Sequence, residues 1–479
     1  MLRWSFVPQR SPEGSPYIGI SYRFAQHGDS RREKNDISEH FSGKARYANI
    51  MEKIIVNGGN PLCGRVEISG SKNAALPIIY ACVLVRGKCI LENIPAISDI
   101  AHSFDILRGI GARIRMLDRT TYEVDCTNVG PGRSNYDLVR RIRGSYYLLG
   151  AEFGRFGRAK VGLPGGCNFG VRPIDQHIKG FEALGGKVNT EGGYVEIESQ
   201  RGAVGTSIFF DVESVGATIN VMIAAATAEG TTILDNAAKE PHVVDCANFL
   251  NTCGAKISGA GSDVIKIRGV KELHGCTYAI IPDMIEAGSF MVAAAATGGS
   301  VRIDNVIPKH LESITAKLEE TGAQIEEFDD AVHVTADGKP RKTSVKTLPY
   351  PGFPTDMHPQ MSALLCLADG VSYINESIFE NRFRYVEELR RMGAHIKVDG
   401  RIVVIEGGHP LTPAPVIATD LRGGMAVLIA ALATNGKTEI SDIHLIERGY
   451  DEVCSKLRAL GADIEKVVYP DPIELPKAN

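Results

Sequence analysis

A chain of 479 residues, 44% hydrophobic and 23% charged, has the make-up of a globular protein large enough for at least two domains. A net charge of −4 gives no general case for binding nucleic acid, no apolar run approaches the roughly 18 residues that span a membrane, and no secretory-type apolar segment opens the sequence. Ten cysteines without a C-x-x-C pair exclude a zinc ribbon or thioredoxin-type motif and read as reduced thiols of a cytoplasmic protein, most of them packing residues.

Residues 1–50 hold the single tryptophan, Trp4, and no sustained period, and read as an N-terminal extension, disordered or not native to the folded body. Met51 opens a strand-like run, M-E-K-I-I-V. From there six alanine-rich segments, apolar nearly all round, predict buried helices at 74–85, 145–151, 216–228, 287–297, 361–368 and 424–433. Between them, amphipathic helical patterns end at Gly111, Gly185, Gly254, Gly322, Gly393 and Gly461, spaced 74, 69, 68, 71 and 68 residues apart. Self-similarity at that period marks a repeated unit, here strand–helix–strand–helix–strand. Glycine suits the stop because it enters the left-handed region without a Cβ penalty.

Polar residues collect just before the helices. Lys72, Arg143, Asp356 and Arg422 fall at related places ahead of the buried ones, and Arg172, Arg382 and Arg448 lie 13, 11 and 13 residues before their glycines. A helix N-terminus is already electropositive, so repeated bases there are unfavourable unless an anion arrives. The pattern points to a polyanionic ligand. No P-loop, G-x-G-x-x-G, H-E-x-x-H or G-x-S-x-G motif is present, no metal site is visible, and His177 and His358 read as ordinary structural or surface histidines. Cys167, in L-P-G-G-C-N-F-G-V-R-P-I-D, stands in a stretch too glycine-rich for a core.

The segments S-G-S-K-N-A-A-L-P, L-P-G-G-C-N-F-G-V-R-P-I-D, S-V-G-A-T, F-P-T-D-M, F-E-N-R-F, A-T-D-L-R and E-R-G-Y, in that order between Met51 and about residue 467, closely resemble the UDP-N-acetylglucosamine 1-carboxyvinyltransferases of peptidoglycan synthesis. The resemblance implies an α/β fold of two inside-out α/β barrels built from six repeats, three per domain. Residues 51–71 plus 282–479 would form the first domain, and 72–281 the second, carrying the Cys167 loop. It implies transfer of the enolpyruvyl group of phosphoenolpyruvate to the 3-hydroxyl of UDP-N-acetylglucosamine in the cytoplasm, with no cofactor or metal and no nucleic-acid or membrane partner.

By the same resemblance Lys72, Arg172 and Arg448 grip phosphoenolpyruvate, and Arg143, Arg382 and Arg422 shape the cationic cleft. Asn73, Asp356 and Ile378 contact the amino-sugar substrate, with Asp356 the base for its hydroxyl. Arg143, Arg172, Pro173, Ile174 and Asp175 line the nucleotide pocket, and Ser214, Val215 and Gly216 present N–H groups to the diphosphate. Cys167 is the proton donor or a covalent partner in product release, and is the group fosfomycin alkylates in the family. Two positions depart from the pattern: Val212, followed by Glu213, replaces a lysine of some relatives, and Tyr147 replaces a tryptophan. The rivals are the shikimate-pathway transferase, with the same donor and another acceptor, and a non-catalytic paralogue.

Overall fold

The computed structural model describes residues 50–132, 136–163 and 173–470, so the expectation for residues 1–50 lies almost wholly outside the described residues. The apolar segments form buried helices at Lys72–Ala81, Tyr147–Phe156, Val215–Ala225, Met284–Thr297, His358–Leu367 and Leu421–Ala433. In the last, every residue from Leu421 to Leu432 is buried. No helix among the described residues is long and apolar enough to cross a membrane. Small side chains let the helices approach closely, and they pack in two groups of three. The first three touch one another, as do the last three. Two hydrophobic cores result, one drawn from residues 74–280, the other from 54–68 and 285–464.

The contact of Tyr147–Phe156 with Val215–Ala225 is tightest at Gly150. Its N–H donates to Asn220 Oδ1 at 2.8 Å, and Asn220 Nδ2 donates to the Tyr146 carbonyl at 2.8 Å. A Cβ at Gly150 would lie 2.2 Å from the Asn220 carbonyl oxygen. Alanine in a helix interior ordinarily gains about 0.5–1 kcal/mol over glycine. Forcing these backbones apart costs about 1–3 kcal/mol. Gly150→Ala is therefore expected to destabilise the protein by about 1–2 kcal/mol. Urea unfolding checks the sign, since a stabilised variant would mean that the two helices are not in this contact.

Surface helices run over Ser98–Gly109, Asp175–Ala183, Pro241–Thr252, Glu312–Glu320, Tyr385–Arg391 and Val453–Ala459. Each is followed by one of the six repeat glycines, whose φ values lie between +88° and +109°. In three units the strands entering and leaving the buried helix are parallel neighbours: Ser207–Phe209 with Thr231–Asp235, Ser344–Lys346 with Val371–Asn375, and Pro415–Ile417 with Gly436–Ser441. After each surface helix the chain forms an antiparallel pair, such as Lys256–Ser258 with Val264–Arg268. The repeated unit thus holds four strands where the sequence suggested three. The additional strand alternates exposed and buried residues as a half-buried strand does, but it follows the preceding strand after a short turn, so the two read as one extended run in the sequence. Five sheets have four strands, and the sixth has three among the described residues.

The first strands belong to sheets formed late in the chain. Ile50–Gly58 lies between Gly436–Ser441 and Asp463–Pro470, and Cys63–Glu67 runs parallel to Ser300–Asp304. Conversely Thr277–Ala279 joins Lys88–Glu92. The chain therefore passes between the two cores twice, and the passages touch: the Ser71 N–H donates to Ile281 O at 2.7 Å and the Asp283 N–H to Ser69 O at 2.9 Å. Gly70 is required there, because a Cβ would lie 1.6 Å from Asn93 O.

Candidate functional site

The double passage brings two buried-helix starts together. Asp283 caps Met284–Thr297, its Oδ1 accepting the N–H groups of Ile285 (2.8 Å) and Glu286 (3.0 Å). Its Oδ2 accepts the N–H of Lys72, the first residue of Lys72–Ala81, at 3.1 Å. One carboxylate thus satisfies orphan donors of both helices and fixes where Lys72 begins.

From that start Lys72 Nζ reaches Asp99 Oδ2 at 2.9 Å. Arg448, in the turn before Val453–Ala459, meets the same carboxylate from the other core, with Nε 2.9 Å from Oδ1 and Nη2 3.3 Å from Oδ2. Only 4% of the Asp99 side chain is exposed. Burial alone would push its carboxyl up, but Lys72 and Arg448 outweigh this and hold it below the usual carboxylate range.

A second carboxylate joins another pair of cations. Asp356 lies in the turn Thr355–Met357 ahead of His358–Leu367. Arg382 Nη2 donates to its Oδ1 at 2.7 Å, and Arg422 approaches Oδ2 through Nη2 at 3.1 Å and Nε at 3.2 Å. Both arginines are almost wholly buried, and Arg422 sits over the Tyr450 ring. Burial works against the Asp356 charge, yet Arg382, Arg422 and then Lys72 drive its carboxyl far below the ordinary value. The Arg422 Nη1 nitrogen is buried with no hydrogen-bond partner among the described residues. An unmet guanidinium donor in such a place suits an incoming anion.

Glu376, fully buried, locks this corner. It accepts the Thr355 hydroxyl at 2.8 Å and the N–H groups of Ile378 (2.8 Å) and Phe379 (2.9 Å). Thr355 Oγ1 in turn accepts Arg382 Nη1 at 2.8 Å. The Asp356 turn and the loop carrying Ile378 and Arg382 are thereby one unit.

A neighbouring cluster gathers the other expected residues. Arg143 opens the turn Arg143–Tyr146, with its guanidinium 5.5 Å from the centre of the Tyr146 ring. This turn touches Lys72–Ala81. Pro173 and Ile174 lead into Asp175–Ala183, where His177 packs edge-on against Tyr146. Ser214 caps Val215–Ala225 through its hydroxyl, which accepts the Ala217 N–H at 3.3 Å. Gly216 faces both rings: a Cβ there would lie 2.6 Å from Tyr146 Oη and 3.0 Å from His177 Nε2. Asn73, beside Lys72, is half-buried. Val212 is exposed, while Lys239 Nζ lies 3.3 Å from Glu213 and puts a base at that corner. Cys167 and Arg172 lie outside the described residues.

His177 and His358 are both buried. Asn220 Nδ2 lies 3.1 Å from His177 Nδ1, an arrangement that places the ring proton on Nε2. Burial, then the Arg143 charge, lower the His177 pKa to about 3, against a smaller opposing pull from Asp175. The unfolded chain therefore binds a proton that the native state refuses between about pH 6.5 and 3, so stability falls as pH falls through that window. His177→Asn is expected to remove on the order of 3–5 kcal/mol of that acid sensitivity. Urea unfolding of both proteins from pH 7 to 4 checks it, and parallel profiles would count against a neutral buried imidazole.

Sequence reasoning missed Asp99, Asp283 and Glu376. Asp99 and Asp283 stand at helix starts, where acids are common for dipole reasons alone, and only the fold reveals their distant partners, the Lys72 and Arg448 side chains for Asp99 and the Lys72 N–H for Asp283.

Comparison with known proteins completes the description. Residues 56–457 match the family model described as EPSP synthase (3-phosphoshikimate 1-carboxyvinyltransferase). The chain is 55% identical over 418 residues to a UDP-N-acetylglucosamine 1-carboxyvinyltransferase of Clostridium botulinum, covering 87% of this chain and 100% of that one. It is 53% identical to UDP-N-acetylglucosamine 1-carboxyvinyltransferase 3 of Caldanaerobacter subterraneus subsp. tengcongensis, with the same coverage of 87% and 100%. Among solved structures, the enolpyruvyl transferase NikO from Streptomyces tendae aligns with a TM-score of 0.80 at 28% identity, over 88% of this chain and 100% of that one. An EPSP synthase from Acinetobacter baumannii aligns at 0.69 with 18% identity, over 87% and 100%, a likeness of fold alone. The cations gathered on Asp99 and Asp356 thus stand in a chain that belongs to the UDP-N-acetylglucosamine 1-carboxyvinyltransferase family, within the wider group of carboxyvinyl transferases.

Proposed function

We propose that the chain transfers the enolpyruvyl group of phosphoenolpyruvate to the 3-hydroxyl of UDP-N-acetylglucosamine and releases inorganic phosphate. The observation that carries this reading is the pairing of four cations with two carboxylates: Lys72 and Arg448 on Asp99, Arg382 and Arg422 on Asp356. That arrangement is cation-rich and partly dry, so it attracts an anion and strengthens its contacts once bound.

In this mechanism phosphoenolpyruvate takes Lys72 and Arg448 from Asp99, with Arg172 completing the grip. The sugar 3-hydroxyl oxygen then attacks C2 of phosphoenolpyruvate while Asp356 takes the hydroxyl proton and a proton is delivered to C3, by Cys167 in one of its two roles. The resulting tetrahedral phospholactyl adduct loses phosphate as a proton leaves C3, restoring the double bond. Asp356 between two guanidiniums is a poor base; it gains basicity as the substrates draw Arg382 and Arg422 toward their own negative groups. Asn73, Asp356 and Ile378 hold the sugar. Arg143, Arg172, Pro173, Ile174 and Asp175 hold the nucleotide, and Ser214, Val215 and Gly216 the diphosphate, with Lys239 supplying the charge that Val212 does not.

The proposed architecture is a pair of inside-out α/β barrels of three repeats each, residues 51–71 plus 282–479 and residues 72–281. The two separate cores support that division. The substrates are metabolites of the cytoplasm, and the reaction belongs there.

The test is phosphate release from phosphoenolpyruvate. Release that requires UDP-N-acetylglucosamine and stops with fosfomycin supports the reading. Turnover with shikimate 3-phosphate alone, or no release with either acceptor, refutes it.

A further inference from the structure

Cys82, Cys89, Cys126, Cys253 and Cys276 neighbour one another in the 74–280 core and are unused by the proposed reaction. Three of them converge: the Sγ atoms of Cys89, Cys253 and Cys276 all lie within 4.8 Å of one another, and Cys253 and Cys276 are 3.4 Å apart. Cys82 and Cys126 neighbour Cys89 but lie outside this trio.

The three thiols come from segments far apart in sequence and are held by backbone contacts. Cys89 lies on strand Lys88–Glu92, and Cys276 immediately precedes Thr277–Ala279, the parallel neighbour of that strand. The Ile90 N–H donates to Cys276 O at 2.8 Å. Cys253 ends helix Pro241–Thr252, and its carbonyl accepts the His274 N–H at 2.9 Å. Cys89 and Cys253 are buried, while Cys276 is half-buried and leaves a route from solvent.

We propose that Cys89, Cys253 and Cys276 form a three-coordinate, all-sulfur site for a soft d10 cation, Cu(I). Three thiolates around one ion at about 2.3 Å stand about 4.0 Å apart, so the trio needs sub-ångström adjustment, with the Cys253–Cys276 pair opening slightly. Thiolate donors without carboxylate or imidazole select soft ions. Structural zinc takes four ligands and iron–sulfur clusters take four cysteines, whereas among the described residues the donor set here has three. Each thiol gives its proton to solvent as the ion binds, and no electron is transferred. A disulfide would require Cys253 and Cys276 to close to about 2.05 Å and would leave Cys89 without a role.

The test uses the full chain, reduced and anaerobic, in competition with a chromophoric Cu(I) chelator. The chain is expected to withdraw one copper, with retention at least tenfold weaker in Cys89→Ser, Cys253→Ser and Cys276→Ser and unchanged in Cys63→Ser and in Cys454→Ser, which lies against the other core. X-ray absorption on the unmodified, copper-loaded chain removes dependence on variants that fold poorly: a shell of three sulfurs supports the site, and nitrogen or oxygen ligands overturn it. Failure to withdraw copper, equal retention in the trio variants, or uptake of Zn(II) in place of Cu(I) also overturns it. So does a Cys253–Cys276 disulfide in freshly isolated, thiol-blocked protein that binds no copper.

Discussion

Asp356→Asn is expected to lower turnover by about 10²–10⁴-fold, the range removed with a positioned general base. The amide keeps the size of the carboxylate but cannot take the sugar hydroxyl proton. It also leaves Arg382 and Arg422, both nearly fully buried, without their shared counter-charge. Losing one partner of a wholly buried ion pair costs about 3–5 kcal/mol; the Asp356 side chain is 27% exposed, so a loss of about 2–4 kcal/mol accompanies the lost turnover. The two effects separate in a pH profile. Burial raises the Asp356 carboxyl, but Arg382, Arg422 and Lys72 hold it far below the ordinary value, so it stays ionised through the neutral range. The kcat/KM profile of the unaltered protein should then show no acid limb belonging to Asp356 between about pH 5 and 8. Asp356→Glu, which restores a charge and an acceptor, should recover stability before activity. Stopped-flow phosphate release and urea unfolding on the three proteins decide the matter. Turnover of Asp356→Asn within tenfold of the original removes Asp356 as the base.

What could be read from the residues was whatever a segment settles locally. The alanine-rich segments are buried on every face, so no partner need be known to place them inside. The six glycine stops follow from backbone conformation alone. Lys72, Arg382, Arg422 and Arg448 were visible because bases ahead of helices oppose the helix dipole and therefore ask for a reason, whereas Asp356 was marked by its place in the repeat and by the family resemblance. The converse explains the omissions. An acid at a helix start is expected in any protein, so Asp99 gave no signal; what singles it out is Arg448, 349 residues away. Glu376 stands two residues before Ile378 and six before Arg382, yet nothing in F-E-N-R-F says that a buried carboxylate fastens that loop to Thr355. The second hairpin strand of each unit was missed for the opposite reason. Its alternating apolar pattern runs on from that of the strand before it across a short turn, and only the pairing of the two shows where one ends and the next begins.

Asp99→Asn should divide binding from chemistry. In the unliganded protein Asp99 neutralises Lys72 and Arg448, whose side chains are only 12% and 17% exposed. The amide removes that charge and is expected to cost about 2–4 kcal/mol, somewhat less than for a wholly buried pair because both cations retain some contact with water. Phosphate or phosphoenolpyruvate competes with Asp99 for the same two cations. In the unaltered protein part of the binding energy is therefore spent separating Lys72 and Arg448 from their carboxylate. In the variant that cost is absent, and an anion bound at about 100 times its Kd returns about 2.7 kcal/mol to the folded state. Millimolar phosphate should thus restore most of the lost thermal stability in Asp99→Asn while shifting the unaltered protein less. Turnover should fall no more than about tenfold, because Asp99 touches the cations and not the reacting atoms. A phosphate shift no larger in the variant than in the original would mean that the anion binds elsewhere. A turnover loss matching that of Asp356→Asn would place Asp99 in the chemical step itself.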